Sequence, residues 1–208
     1  MKDVLYDWGG LNLWLFHAIN AVHWVWLDRL MRLGTWLGNH DNFPPLLALL
    51  ALFAVYAARE GAPVAADGQG HTPARLWLGV IAVLATAYVL DGWLIGWFKP
   101  WLDLPRPLLA LPVGSVIVVG RPELYHSLPS GHASFAMLVA ASLWPVCGRP
   151  VRLLLVVFVL WVGLSRISLG AHFPADVAAG WLSSLLLVLG VRMLAGRLER
   201  LGPRRHSA

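Results

Sequence analysis

The stretch at residues 165–176, SRISLGAHFPAD, brings an arginine, a histidine and an aspartate within eleven positions of one another. Asp176 follows His172 by four residues, so a helical turn here would place both side chains on one face. The carboxylate would then fix the tautomer of the imidazole, which governs any proton that the ring exchanges. An aspartate that only caps the helix beginning near Pro174 is the alternative.

A second polar group, PSGH at residues 129–132, directly precedes an apolar run. Ser130 is suited to cap a helix, and Gly131 has no side chain to keep an anion away from the backbone. The exposed N–H groups of a helix start attract anions. His132 taken alone would be an ordinary interfacial histidine. The group therefore indicates a functional site only if other polar groups lie close to it.

A third group, KPWLDLPRP at residues 99–107, follows another apolar run and contains Lys99 and Arg106. Two cations at the end of an apolar run could belong to a functional site. Long cationic side chains at a helix end also commonly reach for the membrane interface, so this group leaves both interpretations open.

The segments that must position these groups are strongly apolar. Of the 208 residues, 58% are hydrophobic and only 13% are charged, and the mean hydropathy is +0.66. This composition excludes an ordinary soluble domain and indicates an integral membrane protein. The net charge of +5 comes without a basic stripe or an aromatic-basic module, so nucleic acid is not an expected partner. Six of the 12 tryptophans flank the apolar runs, as expected at the headgroup level: Trp36, Trp77, Trp97, Trp101, Trp144 and Trp181.

Hydropathy predicts an all-α, polytopic membrane bundle in a single domain over residues 1–208, with about six transmembrane helices. Five stretches are long enough to cross the bilayer: 43–58, 76–98, 132–147, 152–168 and 177–195. The stretch 11–37 contains five ionisable residues. It is either a first span packed inside the bundle, which we favour, or a bent amphipathic helix at the interface.

Loop charges predict the orientation of these spans. Residues 59–75, residues 148–152 and the arginine-rich C-terminal segment fall on one side, which should be cytoplasmic. The other side, the periplasm of a bacterial inner membrane, receives residues 39–42, 99–131 and 169–176. All three polar groups therefore meet at one rim, and ionisable residues gathered in this way indicate a functional site.

Together the three groups resemble the motifs of the type 2 phosphatidic acid phosphatases. The pattern of that family is Lys, six residues, Arg-Pro; then Pro-Ser-Gly-His; then Ser-Arg, five residues, His, three residues, Asp. The chain matches every position from Lys99 to Asp176. Its hydropathy is similar to that of the membrane branch of the family.

The resemblance implies a role for each matching residue. His172 would be the nucleophile that forms a phosphohistidine, Asp176 would orient it, and His132 would protonate the leaving oxygen. It implies no metal and no other cofactor, because three cationic side chains would replace the usual magnesium ion. The residues expected to bind the phosphoryl group are Lys99, Arg106, Ser130, Gly131 and Arg166.

The expected partners are a lipid phosphate substrate and the surrounding membrane lipids. We favour undecaprenyl diphosphate, but the motifs bind only the shared phosphoryl group. Phosphatidylglycerophosphate, phosphatidic acid and lipid A phosphate therefore stay as alternatives. A lipid phosphotransferase, and a transporter or lipid-binding protein without turnover, are the further alternatives, and the oligomeric state is not predicted.

Several polar residues lie outside the motifs. Asp91 falls within a predicted span and is expected to face the bundle interior with a hydrogen-bonding neighbour. Glu123 and His126 precede the second motif and could contact or gate a headgroup. For His17, His23 and His40 we expect structural roles.

Overall fold

The computed structural model describes residues 7–60 and 73–201, and the regular secondary structure within these ranges is helical. The all-α prediction is therefore confirmed for this part of the chain. Most of the predicted loop 59–75 and the end of the C-terminal segment lie outside the described residues. The helices are α1 (Leu11–Asn20), α2 (Val25–Leu37), α3 (Phe43–Glu60), α4 (Pro73–Leu102), α5 (Gly131–Leu143), α6 (Arg149–Ser168) and α7 (Pro174–Leu201). Short helical turns occupy Trp8–Gly10, His40–Asn42, Pro107–Ala110 and Trp144–Val146.

Four of the described helical segments are long and apolar enough to cross a bilayer, as in a multi-pass membrane protein. They are His40–Arg59, Arg75–Ala110, Arg149–Ser168 and Pro174–Leu198, and they contain four of the five predicted spans. The fifth prediction, residues 132–147, corresponds to a shorter apolar helix, Gly131–Val146. That helix rises only about 24 Å. The count of six spans is not confirmed.

The single span favoured for residues 11–37 is corrected to two short helices, α1 and α2. The chain leaves helical geometry after Ala21, and Trp24 is extended (φ −155°, ψ 160°). With 10 and 13 residues, neither helix can cross about 30 Å of hydrocarbon. Hydropathy alone missed the break because it measures composition and not backbone direction.

Helix α2 packs against α6 through two glycines that permit close approach. A Cβ on Gly34 would lie 2.8 Å from Trp161 Nε1, and one on Gly38 would lie 2.5 Å from Val162 Cγ1. Trp26 and Trp36 remain exposed on α2. The helix is thus fixed to the bundle by one side and presents apolar rings on the other.

Helix α5 occupies the centre of the bundle, which explains why it is buried on most sides. Phe135 and Leu138 belong to a cluster with residues of α3, α4 and α7, while Ala136 and Ala140 pack against Val159 of α6. The start of α5 therefore meets the end of α4, the end of α6 and the start of α7. These four helix ends form the rim that holds the three motifs.

The six tryptophans expected at the interface differ in their exposure. Of those expected at the interface, Trp36, Trp97, Trp101 and Trp144 are exposed, as contact with lipid headgroups requires. The interfacial position predicted for Trp77 is corrected: only 9% of it is exposed and it belongs to the core, where its ring lies edge-on to that of the more exposed Phe53. Trp181 is partly buried.

Candidate active site

The three motifs meet in one cavity of about 360 Å³ at this rim. Two predicted site residues lie behind the wall of the cavity, where Ser130 and Asp176 are fully buried. The other six predicted residues line it: Lys99, Arg106, Gly131, His132, Arg166 and His172. Residues from three separate parts of the chain thus line one cavity, and their roles stay a prediction.

His172 is almost fully buried and is held between a cation and a carboxylate. Arg106 Nη1 lies 3.2 Å from Nε2 of the imidazole, and Asp176 Oδ2 lies 3.4 Å from Nδ1. Arginine can only donate, so Nε2 must carry a lone pair and Nδ1 the proton. Burial lowers the pKa of His172 to about 3, with Asp176 opposing the shift and the two arginines adding to it. The ring is therefore a neutral base with Nε2 available.

The carboxylate of Asp176 is fixed by several donors. Its Oδ2 accepts hydrogen bonds from Ser127 Oγ at 2.6 Å and from the backbone N–H of Phe173 at 2.8 Å. Its carbonyl oxygen accepts from the N–H of Ser130 at 3.0 Å, which ties the third motif to the second. Asp176 thus positions both the imidazole and the start of α5.

Arg106 is held by the loop before the second motif. Its Nε donates to Tyr125 O at 2.9 Å, and Nη1 donates to Ala171 O at 3.2 Å. The same Nη1 lies 2.5 Å from Oε2 of Glu123, whose side chain is half exposed and borders the cavity. A carboxylate therefore contacts the arginine in this structure, at a position suited to an anion.

Arg166 is held from α2, a helix without any of the motifs. Its Nη1 donates to Thr35 Oγ1 at 2.6 Å, and Ser165 Oγ donates to the same oxygen at 3.2 Å. Nε of Arg166 is buried without a partner among the described residues. The guanidinium therefore keeps an unused donor beside the cavity.

The capping role expected of Ser130 is corrected. Ser130 occupies the N-cap position of α5, but its side chain makes no capping hydrogen bond, and its Oγ is buried without a partner in the described part of the chain. Gly131 lies close to the ring of His40, since a Cβ there would lie 3.3 Å from Cε1 of that histidine. The expected approach of an anion to its backbone stays a prediction.

Asp91 faces the bundle interior with hydrogen-bonding neighbours, in agreement with the expectation. Only 2% of it is exposed. It accepts hydrogen bonds from Ser134 Oγ at 2.6 and 2.7 Å and from Ser184 Oγ at 3.0 Å. Nε2 of His40 lies 3.7 Å from Oδ2, and His40 also lines the cavity.

Sequence reasoning missed three residues of the site: Ser127, Thr35 and His40. Ser127 precedes the second motif by two positions, and Thr35 lies on an amphipathic helix, but neither is spaced from its partner in a recognisable way. Within residues 7–60 and 73–201, no group of three or more His, Cys, Asp or Glu side chains is arranged to hold a metal ion.

Comparison with known proteins gives one family and several relatives. The model of the PAP2 superfamily matches residues 77–199. The chain is 30% identical over 134 residues to the lipid A 1-phosphatase of Rhizobium etli, covering 61% of this chain and 56% of that protein. The match thus spans little more than half of that relative. It is 33% identical over 197 residues to the undecaprenyl-diphosphatase of Sulfolobus acidocaldarius, covering 93% of this chain and 81% of that protein.

The fold is similar to that of a protein of known structure. The crystal structure of LpxE from Aquifex aeolicus superposes with a TM-score of 0.71 at 26% identity. The superposition covers 88% of this chain and 95% of that one. The similarity extends beyond the motifs to the arrangement of the helices.

Proposed function

The chain belongs to the PAP2 superfamily, and from this premise we propose that it is an integral membrane lipid phosphatase acting on a lipid phosphate or diphosphate. The observation that carries the proposal is the state of His172. A buried, neutral imidazole presents Nε2 in a cavity lined by three cationic side chains. A nucleophile beside fixed positive charge is what phosphoryl transfer requires.

In the first step His172 Nε2 attacks the phosphorus atom, and a phosphohistidine forms. Asp176 accepts the Nδ1 proton in a hydrogen bond and stabilises the positive charge that develops on the ring. The oxygen of the leaving group takes a proton from His132. In the second step water attacks the phosphohistidine and gives a proton back to His132.

Lys99, Arg106 and Arg166 stabilise the charge on the phosphoryl oxygens in both steps. Arginine can donate to two oxygens at once, and the unused Nε of Arg166 supplies such a donor. The backbone at Gly131 completes the phosphate site at the cavity wall, and the buried Oγ of Ser130 lies behind it without a partner among the described residues. We propose that this positive charge replaces a metal ion, so that the enzyme works without a cofactor.

The position of the site at a helix rim fits a substrate whose phosphate lies at the headgroup level. The lipid tails can stay in the bilayer while the phosphoryl group reaches the cavity. From the distribution of loop charges, we place the cavity on the periplasmic side of a bacterial inner membrane and the C-terminus in the cytoplasm.

Undecaprenyl diphosphate is the proposed substrate. In support, the similarity to an undecaprenyl-diphosphatase extends over 93% of this chain, against 61% for a lipid A 1-phosphatase. A lipid A phosphate and phosphatidylglycerophosphate are the alternative substrates, and transfer to a lipid acceptor in place of water is the alternative reaction.

The test is phosphate release by the purified protein in detergent. The panel contains undecaprenyl diphosphate, lipid A, phosphatidylglycerophosphate and phosphatidic acid, ranked by kcat/KM. We expect turnover with EDTA present and inhibition by vanadate, which imitates the pentacoordinate phosphorus. Turnover without an acceptor lipid separates hydrolysis from phosphotransfer.

Phosphohistidine trapping tests the mechanism in the same preparation. With a ³²P-labelled substrate, the acid-labile phosphoenzyme should form in the unmodified protein and be absent from His172→Asn. The control is His17→Asn, a histidine on α1 away from the cavity, which should behave like the unmodified protein. Full activity of His172→Asn would refute the assignment.

A further inference from the structure

Asp91 and His40 form a second carboxylate–imidazole pair at the same cavity. Asp91 is buried among apolar helices, where a carboxylate is costly without compensation. Two of its neighbours, Ser134 and Ser184, are neutral hydroxyls. His40, at 3.7 Å, is the one of the three that can carry a positive charge. The pair is therefore comparable to His172 and Asp176, but the sequence motifs do not include it.

The ring of His40 is held in one orientation. Its centroid lies 5.2 Å from that of Phe135 and 5.8 Å from that of Tyr88, and Nε2 points to Asp91. The Cε1–Nδ1 edge faces Gly131: a Cβ there would lie 3.3 Å from Cε1 and 3.8 Å from Nδ1. Within the described part of the chain, Nδ1 has no hydrogen-bond partner. A polar atom is thus fixed at the cavity wall and available to a ligand.

The cavity extends along α4 from the phosphate-binding cations to this histidine. Asp91 and Lys99 are eight residues apart on one helix, about 12 Å along its axis. Gly92 and Gly96 line the cavity between them, and a Cβ on either would have no atom within 4 Å. The space is therefore open beside both glycines and longer than one phosphoryl group needs.

His40 lies on the side where the leaving group must be. In an in-line displacement the leaving oxygen is opposite the nucleophile, and in the proposed mechanism His132 protonates that oxygen. His40 contacts Gly131, the residue next to His132. A phosphate monoester places a neutral alcohol there, whereas a lipid diphosphate places a second anionic phosphoryl group there.

We propose that His40, oriented by Asp91, is a subsite for the leaving phosphoryl group of a lipid diphosphate. The inference rests on the proposed function. As the bond from His172 Nε2 to the terminal phosphorus forms, the bond to the bridging oxygen breaks. That oxygen keeps the electron pair and takes the proton of His132. With Nε2–H directed at Asp91, the doubly protonated ring of His40 donates a hydrogen bond from Nδ1 to a non-bridging oxygen of the departing lipid monophosphate.

The test compares two synthetic probes with the same chain, farnesyl diphosphate and farnesyl monophosphate. His40→Phe keeps the aromatic packing and removes both nitrogens. We expect it to lower kcat/KM for the diphosphate about tenfold more than for the monophosphate. His40→Asn, whose amide can replace Nδ1, should keep part of the preference, and Asp91→Asn should reduce it.

Equal losses on the two probes in His40→Phe would overturn the subsite. An unmodified protein that releases phosphate from neither these probes nor the lipid panel would overturn the proposed function, and the subsite with it. The unfolding temperature of each variant in detergent shows whether a loss of activity follows from misfolding. If His40→Phe misfolds, the ratio of kcat/KM for the two probes in His40→Asn decides whether the subsite exists.

Discussion

Arg106 Nη1 lies 3.2 Å from His172 Nε2, so the arginine donates to the nitrogen that is proposed to attack phosphorus. The contact sets the tautomer from one side while Asp176 sets it from the other. For attack, the guanidinium must exchange the imidazole for a phosphoryl oxygen. Substrate binding therefore both frees the nucleophile and satisfies the cation.

The pKa of His172 makes stability depend on pH. The folded-state pKa of His172 is lowered to about 3 from an ordinary value of 6.5. Between these pH values the unfolded chain therefore binds a proton on His172 that the folded protein does not bind. The contribution is fully present above pH 6.5 and is lost as the pH falls toward 3. Relative to His172→Asn, the unmodified protein should lose up to about 1.4 kcal/mol of unfolding free energy per pH unit in that window. Parallel unfolding curves at pH 7.5 and pH 4.5 would contradict the assignment.

Glu123 should compete with phosphate for Arg106. Its carboxylate contacts the guanidinium in this structure, whereas Tyr125 O and Ala171 O hold Arg106 independently of it. In Glu123→Gln we expect the inhibition constants of phosphate and vanadate to fall by about three- to tenfold. Asp103→Asn removes an exposed carboxylate near the same rim and serves as the control. Weaker inhibition in Glu123→Gln would show that the carboxylate instead supports the anion site.

The motif residues could be predicted because their spacing is local. Arg166, His172 and Asp176 lie within eleven positions, and a helix end followed by a helix start brings them together. Thr35 and Arg166 are 131 positions apart, and Ser127 and Asp176 are 49 apart. Such contacts depend on how the helices pack, which one sequence does not specify.

The fold, too, has features that the sequence predicts and features that depend on how the helices pack. Hydropathy found α3, α4, α6 and α7 because a span must be uniformly apolar over its whole length. It did not find the break between α1 and α2 or the burial of Trp77, since both depend on neighbours in space. Asp91 was placed correctly inside the bundle because a carboxylate in a span must avoid lipid.

Thr35 should act as a positioning residue for Arg166. Its hydroxyl, on α2, accepts a hydrogen bond from Arg166 Nη1 at 2.6 Å. Among the described residues, this is the one side-chain hydrogen bond between α2 and a phosphate-binding residue. Thr35→Val keeps the shape and removes the acceptor, so KM and the vanadate inhibition constant should rise about tenfold. Thr35→Ser should restore both. A uniform fall in kcat with unchanged KM, or failure of the serine variant to restore binding, would contradict this role.

Two glycines of α7 offer a matched test of how the second motif is positioned. A Cβ on Gly180 would lie 2.6 Å from Ser130 O and 3.1 Å from Ser134 N, both backbone atoms that cannot turn aside. Gly180→Ala must therefore push α7 away from the start of α5, at a cost of about 1–3 kcal/mol. Since Ser130 and Gly131 move with that backbone, phosphate release should fall as well.

At Gly190 a Cβ would meet no atom within 4 Å, so Gly190→Ala should be neutral or stabilise the helix by about 0.5–1 kcal/mol. Unfolding midpoints and turnover, measured side by side, should separate Gly180→Ala from Gly190→Ala. If both variants change stability and turnover by the same small amount, the close contact of α7 with α5 does not hold the phosphate site in place.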